Sequence, residues 1–325
     1  MSHPFATLSP DLVIDAVESL GLRSDCRVFA LNSFENRVFQ VGIEDSTPLV
    51  AKFYRPGRWS EAQLREEHSF SLELAEHEVP VVAPLLIDGE SLFQHEGLHF
   101  ALFPRRGGRA PEPGDLDQLY RLGQLLGRLH AVGASRPFAA RPALDVQSFG
   151  HESLHCLREE FPLPASVRAG YFAVADALVA QVAERIASTP FQPIRLHCDC
   201  HPGNLLLRDD QLLVVDMDDC RSGPAVQDLW MLLTGERHER QRQIIELLEG
   251  YGEFHDFDAR ELALIEALRS LRLIHYSAWL ARRQDDPAFP PAFPWFGSES
   301  YWREQTVILR EQQLRIEEPT LQLWP

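Results

Sequence analysis

Positive charge is what this sequence lacks most plainly. Thirty-one Lys and Arg face 48 Asp and Glu, and the 325-residue chain carries a formal net charge of -17. Such a surface repels phosphate backbones and anionic lipid, so neither nucleic acid nor a membrane surface is an expected partner. A small anionic ligand can still bind where a few cations converge. Long uncharged apolar runs are missing as well. The late stretch LRSLRLIHYSAWLARR is broken by arginines, and no run reaches the roughly 18–20 residues of a membrane-spanning helix. The opening MSHPFATLSPDLVIDAVESLGL has no basic segment followed by an apolar one, so no secretory signal is expected. Cysteine is scarce: Cys26, Cys156, Cys198, Cys200 and Cys220 are odd in number and unevenly spaced, the pattern of reduced thiols in a cytoplasmic protein. A G-x-G-x-x-G loop is also absent, and with it the usual glycine-rich phosphate cradle. A monomer is expected.

What is present is enough apolar material, 45% of residues, for two lobes. After a helix near 9–21, the stretch RVFALNSFENRVFQVGIEDSTPLVAKFYR holds three short apolar runs bounded by turn residues, the signature of hairpins. Residues 60–77 read as a helix with Ser60 as N-cap, and 81–87 and 99–104 read as further strands. The segment PRRGGRAPEPGD (104–115) is dense in Gly and Pro and reads as a linker. Beyond it the period is helical over 115–133, 165–187, 226–235, 239–250, 258–283 and 299–316, interrupted by a strand-turn-strand at 194–219. The segment 286–297, DPAFPPAFPWFG, reads as a Pro-aromatic wrap and not as a helix. The expected fold is α+β and bilobal, protein-kinase-like. An antiparallel-sheet N-lobe with one main helix (1–104) precedes a mostly helical C-lobe (105–325).

The chemistry concentrates in His197-Cys198-Asp199-Cys200-His201-Pro202-Gly203-Asn204. Asp199 and Asn204 are five apart with a His two residues before the Asp, the spacing of a kinase catalytic loop. Phosphoryl transfer needs a carboxylate to orient the attacking hydroxyl and a neutral oxygen ligand for magnesium, and a short loop can supply both. A polar hairpin turn would use the same residue types. The following run LLVVDMDD ends in Asp216, Asp218 and Asp219. A carboxylate at the end of a buried strand can meet a metal that bridges nucleotide phosphates. Asp216 is the preferred ligand. Asp218, pointing the same way on an extended chain, is a possible second.

Upstream, Leu49-Val50-Ala51-Lys52-Phe53 resembles the strand lysine motif V-A-I-K without its isoleucine. A helix carrying Glu66 and Glu67 follows at the distance of the kinase helix whose glutamate pairs with that lysine. Glu67 is preferred over Glu66. A lysine snorkelling from an edge strand is the plainer alternative. Asn32-Ser33-Phe34-Glu35-Asn36 stands where a phosphate loop would be, with the Ser33 hydroxyl and backbone amides available, though an ordinary hairpin turn fits equally. Together the elements fall in kinase order: loop, Lys, helical Glu, linker, H-x-D-x4-N, Asp.

HCDCHPGN, VVDMDD and GPAVQDLWMLL resemble the aminoglycoside phosphotransferase and choline kinase superfamily. LNSFENRVFQ, AKFYRPGRW, GPAVQDLWMLL and DPAFPPAFPW resemble more closely the bacterial stress response kinase A family, from about residue 9 to about 323. That resemblance implies a Ser/Thr protein kinase, autophosphorylation included, acting in stress survival with ATP and Mg2+. It implies Asp199 as catalytic base, Asn204 and Asp216 as magnesium ligands and Ser33 as an ATP contact. The superfamily loop usually reads His-Gly-Asp, whereas here Cys198 replaces the Gly. A side chain there bears on the loop's dihedrals, and the carboxylate placement is expected to survive. Two rivals remain: a small-molecule kinase on the same fold, and a nucleotide-binding pseudokinase scaffold, against which the complete Lys, Asp, Asn and Asp set argues.

Other readings are blander. Zinc at His197, Cys198, Cys200 and His201 is disfavoured, because alternate side chains of an extended strand face opposite ways. The cysteines near the acidic residues read as small buried hydrophobes, since neighbouring carboxylates oppose thiolate formation. Asp228 reads as a helix N-terminal cap. His130 reads as a hydrogen-bonded core histidine. Arg269, Arg272, Arg282 and Arg283 either border the acceptor cleft or form a solvated stripe.

Overall fold

The computed structural model describes residues 5–323. Pro10 opens the first helix, α1 (Pro10–Glu18), with the Ser9 hydroxyl accepting from the Leu12 amide at 3.2 Å. A proline at the first helical position gives up only a donor that would lack an intrahelical partner anyway. Five strands follow, β1 (Ser24–Leu31), β2 (Arg37–Ile43), β3 (Leu49–Phe53), β4 (Phe93–His95) and β5 (Leu98–Pro104), forming one sheet in the order β1-β2-β3-β5-β4. Every pairing within it is antiparallel. Between β3 and β4 lies α2 (Glu61–Glu76), started by a capping box in which Ser60 and Gln63 satisfy each other's backbone.

Register decides which side chains share a face. Phe39, Ala51, Phe53, Phe100 and Leu102 occupy one face and are closed over by Val13, Ala16 and Val17 of α1. The opposite face carries two rows, Leu31–Val38–Lys52–Ala101 and Phe29–Gln40–Val50–Phe103. Phe29 and Leu31 of this face are exposed, so the face bearing Lys52 offers apolar surface outside the core.

Residues 81–87 are not a strand. Pro84 has no amide to donate, and the segment makes isolated bonds instead, Val82 N–H to Val214 at 2.9 Å and Leu85 N–H to Leu102 at 2.7 Å. The strand actually pairing there, β4, is one that alternation had not signalled.

The chain forms two compact units, and they do not divide simply at residue 104. The first holds the chain up to Glu112 together with Phe138–Arg141 and His201–Cys220. Its late members are tied in by backbone bonds. The hairpin β7 (Leu205–Arg208) and β8 (Gln211–Val214) bonds through Val214 to Pro80 and Val82 and through Leu207 to Arg109. Glu66 receives the amides of Ala139, Ala140 and Arg141.

The second unit is mostly helical: α3 (Leu116–Gly133), α4 (Glu152–His155), α5 (Ala165–Ser188), α6 (Gln227–Trp230), α7 (Arg237–Tyr251), α8 (Ile265–Arg283), α9 (Phe289–Ala292) and α10 (Glu299–Ile316). One small ribbon joins β6 (Ile194–Leu196) to β9 (Arg221–Gly223). α3 and α7 approach so closely that a Cβ on Gly123 would lie 1.9 Å from the Leu247 carbonyl oxygen, and one on Gly250 would lie 2.0 Å from that of Tyr120. Only glycine permits that backbone contact. The Pro-aromatic segment 286–297 contains a single helical turn, α9. Residues 147–160, left unassigned by periodicity, form two π-helical turns, Gln147–His151 and Cys156–Glu160, flanking α4.

Candidate active site

In the first unit, Lys52 is placed by β3 and its side chain is 8% exposed. Its Nζ donates to Asp216 Oδ1 at 2.7 Å and lies 3.1 Å from Asp218 Oδ1, an ion pair without hydrogen-bond alignment. Burial by itself would lower the ammonium's pKa. The carboxylates of Asp216, Asp218 and Glu67 outweigh it and hold Lys52 well above an ordinary lysine.

Asp216 follows β8 in the left-handed region, φ 62°, and Met217–Asp219 form a tight 3-10 turn. The chain there is therefore not extended, and Asp218 does not repeat the direction of Asp216. Asp216 stays 52% exposed, whereas Asp218 is buried. Asp218 Oδ2 accepts from the Asn36 side chain at 3.0 Å and from Arg58. Burial would raise the Asp218 carboxyl, yet Lys52 and Arg58 bring it below the usual aspartate value. This makes Asp218 a hub between fixed cations. Asp216 keeps open solvent around it.

Glu67 is buried on α2, and the direct pair with Lys52 expected from the sequence is replaced. Its carboxylate accepts from Arg141 Nη2 at 2.8 Å, and the same Nη2 reaches the Asp218 carbonyl at 3.0 Å. Arg141 is fully buried over the Trp59 ring, 4.2 Å from its centroid. Its planar fork and weaker hydration suit that enclosed position better than an ammonium would. Burial raises the Glu67 carboxyl to about 7, with Lys52 and Arg141 opposing. Glu66 is engaged by the backbone amides of Ala139, Ala140 and Arg141, whereas Glu67 faces the charged cluster.

The loop 32–36 joins β1 to β2. Ser33 Oγ donates to the Asn36 carbonyl at 3.2 Å. Arg55 bonds the carbonyls of Glu35 and Phe34 at 2.8 and 2.9 Å, while its own amide donates to Asn36 Oδ1 at 3.0 Å. Arg58 donates to Asp219 at 2.6 Å and pairs with Glu35 at 3.6 Å. The loop and the acidic turn are thus clamped together by Asn36 and Arg58. Neither contact was signalled by the sequence, although both residues lie within quoted motifs. Arg141 gave no signal at all, because nothing local relates it to Glu67.

Asn204 ends a short 3-10 turn, and its carbonyl accepts from the Val215 amide at 3.0 Å. The β7–β8 register, Leu205 opposite Val214, therefore brings Asn204 and Asp216 to the same end of the hairpin. Within the cluster, Lys52, Arg55, Arg58 and Arg141 meet Glu35, Glu67, Asp216, Asp218 and Asp219, four cations against five carboxylates. An amide oxygen and an exposed carboxylate suit a hard divalent cation that retains waters and phosphate oxygens. Among the described residues, no three His, Cys, Asp or Glu side chains gather as a metal cage. His201 Nδ1 instead accepts from the Gly203 amide and His197 Nδ1 from the Asp199 amide.

In the second unit, Asp199 lies just before the chain crosses at Cys200. Its loop is anchored by Asp228. That side chain is fully buried, and its oxygens accept from the amides of His197 (2.8 Å) and Cys198 (2.7 Å). His130 Nε2 lies 3.1 Å from the same carboxylate, and His130 Nδ1 is 3.0 Å from the Tyr251 hydroxyl. Asp228 is accordingly not the cap of α6, whose N-cap is Val226. His130 is the hydrogen-bonded core histidine expected. Gln227 Nε2 donates to the Cys198 carbonyl at 2.9 Å. Held on both sides, Cys198 adopts φ 70°, a region that glycine reaches freely and other residues at a cost of about 1–2 kcal/mol. Burial, with the charges of Asp228 and Asp199, keeps Cys200 well above an ordinary thiol, and burial pushes Cys220 up to about 12. Both are protonated thiols.

The chain matches the phosphotransferase enzyme family over residues 27–288. It is 46% identical over 321 residues to stress response kinase A of Salmonella choleraesuis (strain SC-B67), across 99% of this chain and 97% of that one. The chain belongs to this family. The resemblance read from AKFYRPGRW and DPAFPPAFPW therefore extends along nearly the whole sequence. Identity is likewise 46% over 321 residues, with the same coverage, to a protein of Salmonella typhimurium (strain LT2) named serine/threonine protein kinase RdoA. Among solved structures, amicoumacin kinase hAmiN in complex with AMP-PNP, Ca2+ and Ami aligns at a TM-score of 0.72 and 18% identity, covering 95% of this chain and 93% of that one. At that identity the likeness shows the fold: a sheet-bearing N-terminal part with a helical remainder, as in protein-kinase-like phosphotransferases.

Proposed function

We propose that the family member described here is an ATP- and magnesium-dependent kinase that transfers the γ-phosphate to Ser or Thr hydroxyls of proteins, its own chain included, in the bacterial stress response. It acts as a monomer in the cytoplasm. The observation that carries the catalytic reading is the buried Lys52 paired to the half-exposed Asp216. In the resting chain the lysine occupies the carboxylate that a metal needs. Arrival of the nucleotide draws Lys52 onto the α/β phosphates and frees Asp216. Asn204 and Asp216 would hold Mg2+, which would supply charge neutralisation on the phosphates. The apolar face formed by Leu31, Val38, Val50 and Phe103, beside Lys52, receives the adenine. Ser33 and the amides of its loop contact the phosphates. Glu67, through the buried charge around Arg141 and Asp218, sets the field in which Lys52 sits. Asp199, anchored through Asp228, orients the acceptor hydroxyl and takes its proton. Most of the acceleration comes from positioning and charge neutralisation, because the transition state is loose.

A protein acceptor is supported by the relative named serine/threonine protein kinase RdoA. The competing reading, a small-molecule kinase, is favoured by the fold shared with amicoumacin kinase. The deciding experiment incubates the chain with labelled ATP, Mg2+ and either a generic protein or a panel of amino alcohols, aminoglycosides and homoserine. Acid-stable phosphate on Ser or Thr supports the proposal. Efficient turnover of a panel member without labelled protein overturns it. Asp199→Asn is expected to cost about 10²–10⁴ in turnover with ATP affinity retained. A mutant keeping more than a tenth of wild-type turnover removes Asp199 from the role of base.

A further inference from the structure

Arg272 stands on α8 and donates through Nη1 to Asp199 Oδ1. The other arginines of that helix with described partners are engaged elsewhere. Arg269 pairs with Glu266 at 3.3 Å and lies over the Trp230 ring, and Arg283 lies over the Trp279 ring. The Arg272 side chain is 38% exposed and that of Asp199 23%. A guanidinium presents five donors in a planar fork. One of them meets Asp199, which leaves a solvated edge directly beside the carboxylate assigned to the acceptor proton.

We infer that Arg272 selects the acceptor, favouring a Ser or Thr hydroxyl whose neighbouring residue carries a carboxylate. The inference rests on the proposed role of Asp199 as the base. Two consequences of the ion pair support it. Arg272 cancels the local negative charge of Asp199, which removes the main attraction the base would hold for a cationic amine. Its remaining donors match a carboxylate in the bidentate geometry that makes arginine pairs strong. The helix offers this group from a stiff platform. His275, on the next turn, stacks on Phe149 of the first π-helical turn at 4.2 Å between centroids, and its Nδ1 is 3.2 Å from Ser153 Oγ. π-helical turns are rare and recur at functional sites. One turn beyond Arg272, the exposed Tyr276 stacks on Trp279 with an interplanar angle of 11°. Charge and aromatic surface thus run along one side of the helix, as an extended peptide requires and a compact metabolite does not. The net charge of -17 acts over longer range and favours basic or neutral segments, but it is screened beyond about 8–10 Å in physiological salt. Arg272 acts in contact.

The test uses two peptides with one serine each, identical except for Glu or Lys beside it, and compares kcat/KM for the full chain and for Arg272→Ala, Arg272→Lys and Arg272→Glu. Thermal shifts with ATP and Mg2+ report that each variant is folded. Wild type is expected to favour the acidic peptide by about tenfold, equivalent to roughly 1.4 kcal/mol, chiefly through KM, with the ratio falling as salt rises. Arg272→Ala should bring the ratio near one, Arg272→Lys should keep part of it, and Arg272→Glu should invert it. A wild-type ratio of one, or transfer whose ratio ignores residue 272, overturns the inference and leaves the proposed function standing. No label on any peptide or protein overturns the protein-kinase reading first, and the inference with it.

Discussion

The segment around Asp216 and the loop around Asp199 are neighbours in sequence but are held by opposite means. In the first unit, Asp216, Asp218 and Asp219 are gripped by Lys52 and Arg58, with Asn36 as a neutral partner. In the second, the Asp199 loop is fixed through backbone amides to one buried carboxylate, Asp228. Ion pairs can be exchanged when a competing charge arrives, whereas amides on a buried acceptor have nowhere better to go. The difference suits the two tasks. In the proposed mechanism a nucleotide and its metal displace a cation from Asp216, while Asp199 as the proposed base stays in place through every turnover.

Asp228→Ala tests the fixed side and should have the largest effect on stability. It leaves two buried amides and His130 without their acceptor, for a loss of at least about 3 kcal/mol in unfolding free energy measured by denaturant titration. Turnover should fall with it, and ATP affinity of the remaining folded protein should hold. A loss below 1 kcal/mol would show that the loop does not depend on this carboxylate.

Arg58→Ala tests the exchangeable side. Removing one partner of a buried ion pair typically costs about 3–5 kcal/mol, and here Asn36 and Lys52 remain to share Asp218, so the lower end is expected. Because Arg58 also ties the 32–36 loop to the acidic turn, KM for ATP should rise. Arg58→Lys should recover stability better than nucleotide affinity, since one ammonium cannot span Asp218 and Asp219. Unchanged KM in both variants would reduce Arg58 to a structural group.

His68 sharpens the comparison through pH. It bridges the Tyr54 hydroxyl (2.6 Å) and Ser91 (3.0 Å) inside the first unit, and burial lowers it from 6.5 to about 3. A depressed folded-state pKa contributes stability above the unfolded value that is lost as pH falls. The unfolding free energy of wild type relative to His68→Gln should therefore shrink from about pH 6.5 toward pH 3, by up to about 1.4 kcal/mol per pH unit. A constant difference across that window would mean that the imidazole titrates as in the unfolded chain.

The smallest effect is expected at Cys198. Its positive φ reverses the usual order of alanine and glycine, so Cys198→Gly should be more stable than Cys198→Ala by about 1 kcal/mol. Equal stabilities would indicate that the left-handed conformation carries no measurable strain in the folded loop.

Local chemistry made much of this protein legible before any fold was known. Ser60 marks the start of α2, short apolar runs bounded by turn residues mark β2 and β3, and the spacing of Asp199, Asn204 and Asp216 follows from the turn and strand that carry them. Short-range preferences act through neighbours in the chain, and those are written in order. Two features escaped for different reasons. The strand expected at 81–87 failed because Pro84 interrupts its amides, and Asp228 looked like a cap because a carboxylate in a helix's first turn has the same local signature in either role.

Tertiary structure alone decided the partners. Which cation meets Glu67, Arg141 or Lys52, depends on Phe138–Arg141 returning to the first unit through the amides on Glu66. That Asp218 is a buried hub and Asp216 an exposed carboxylate depends on a left-handed residue followed by a 3-10 turn, which no alternation pattern announces. The pairing of Arg272 with Asp199 links residues far apart in sequence. Charges attract over several ångströms irrespective of chain order, so the sequence set the inventory of ions, and only folding chose which of them meet.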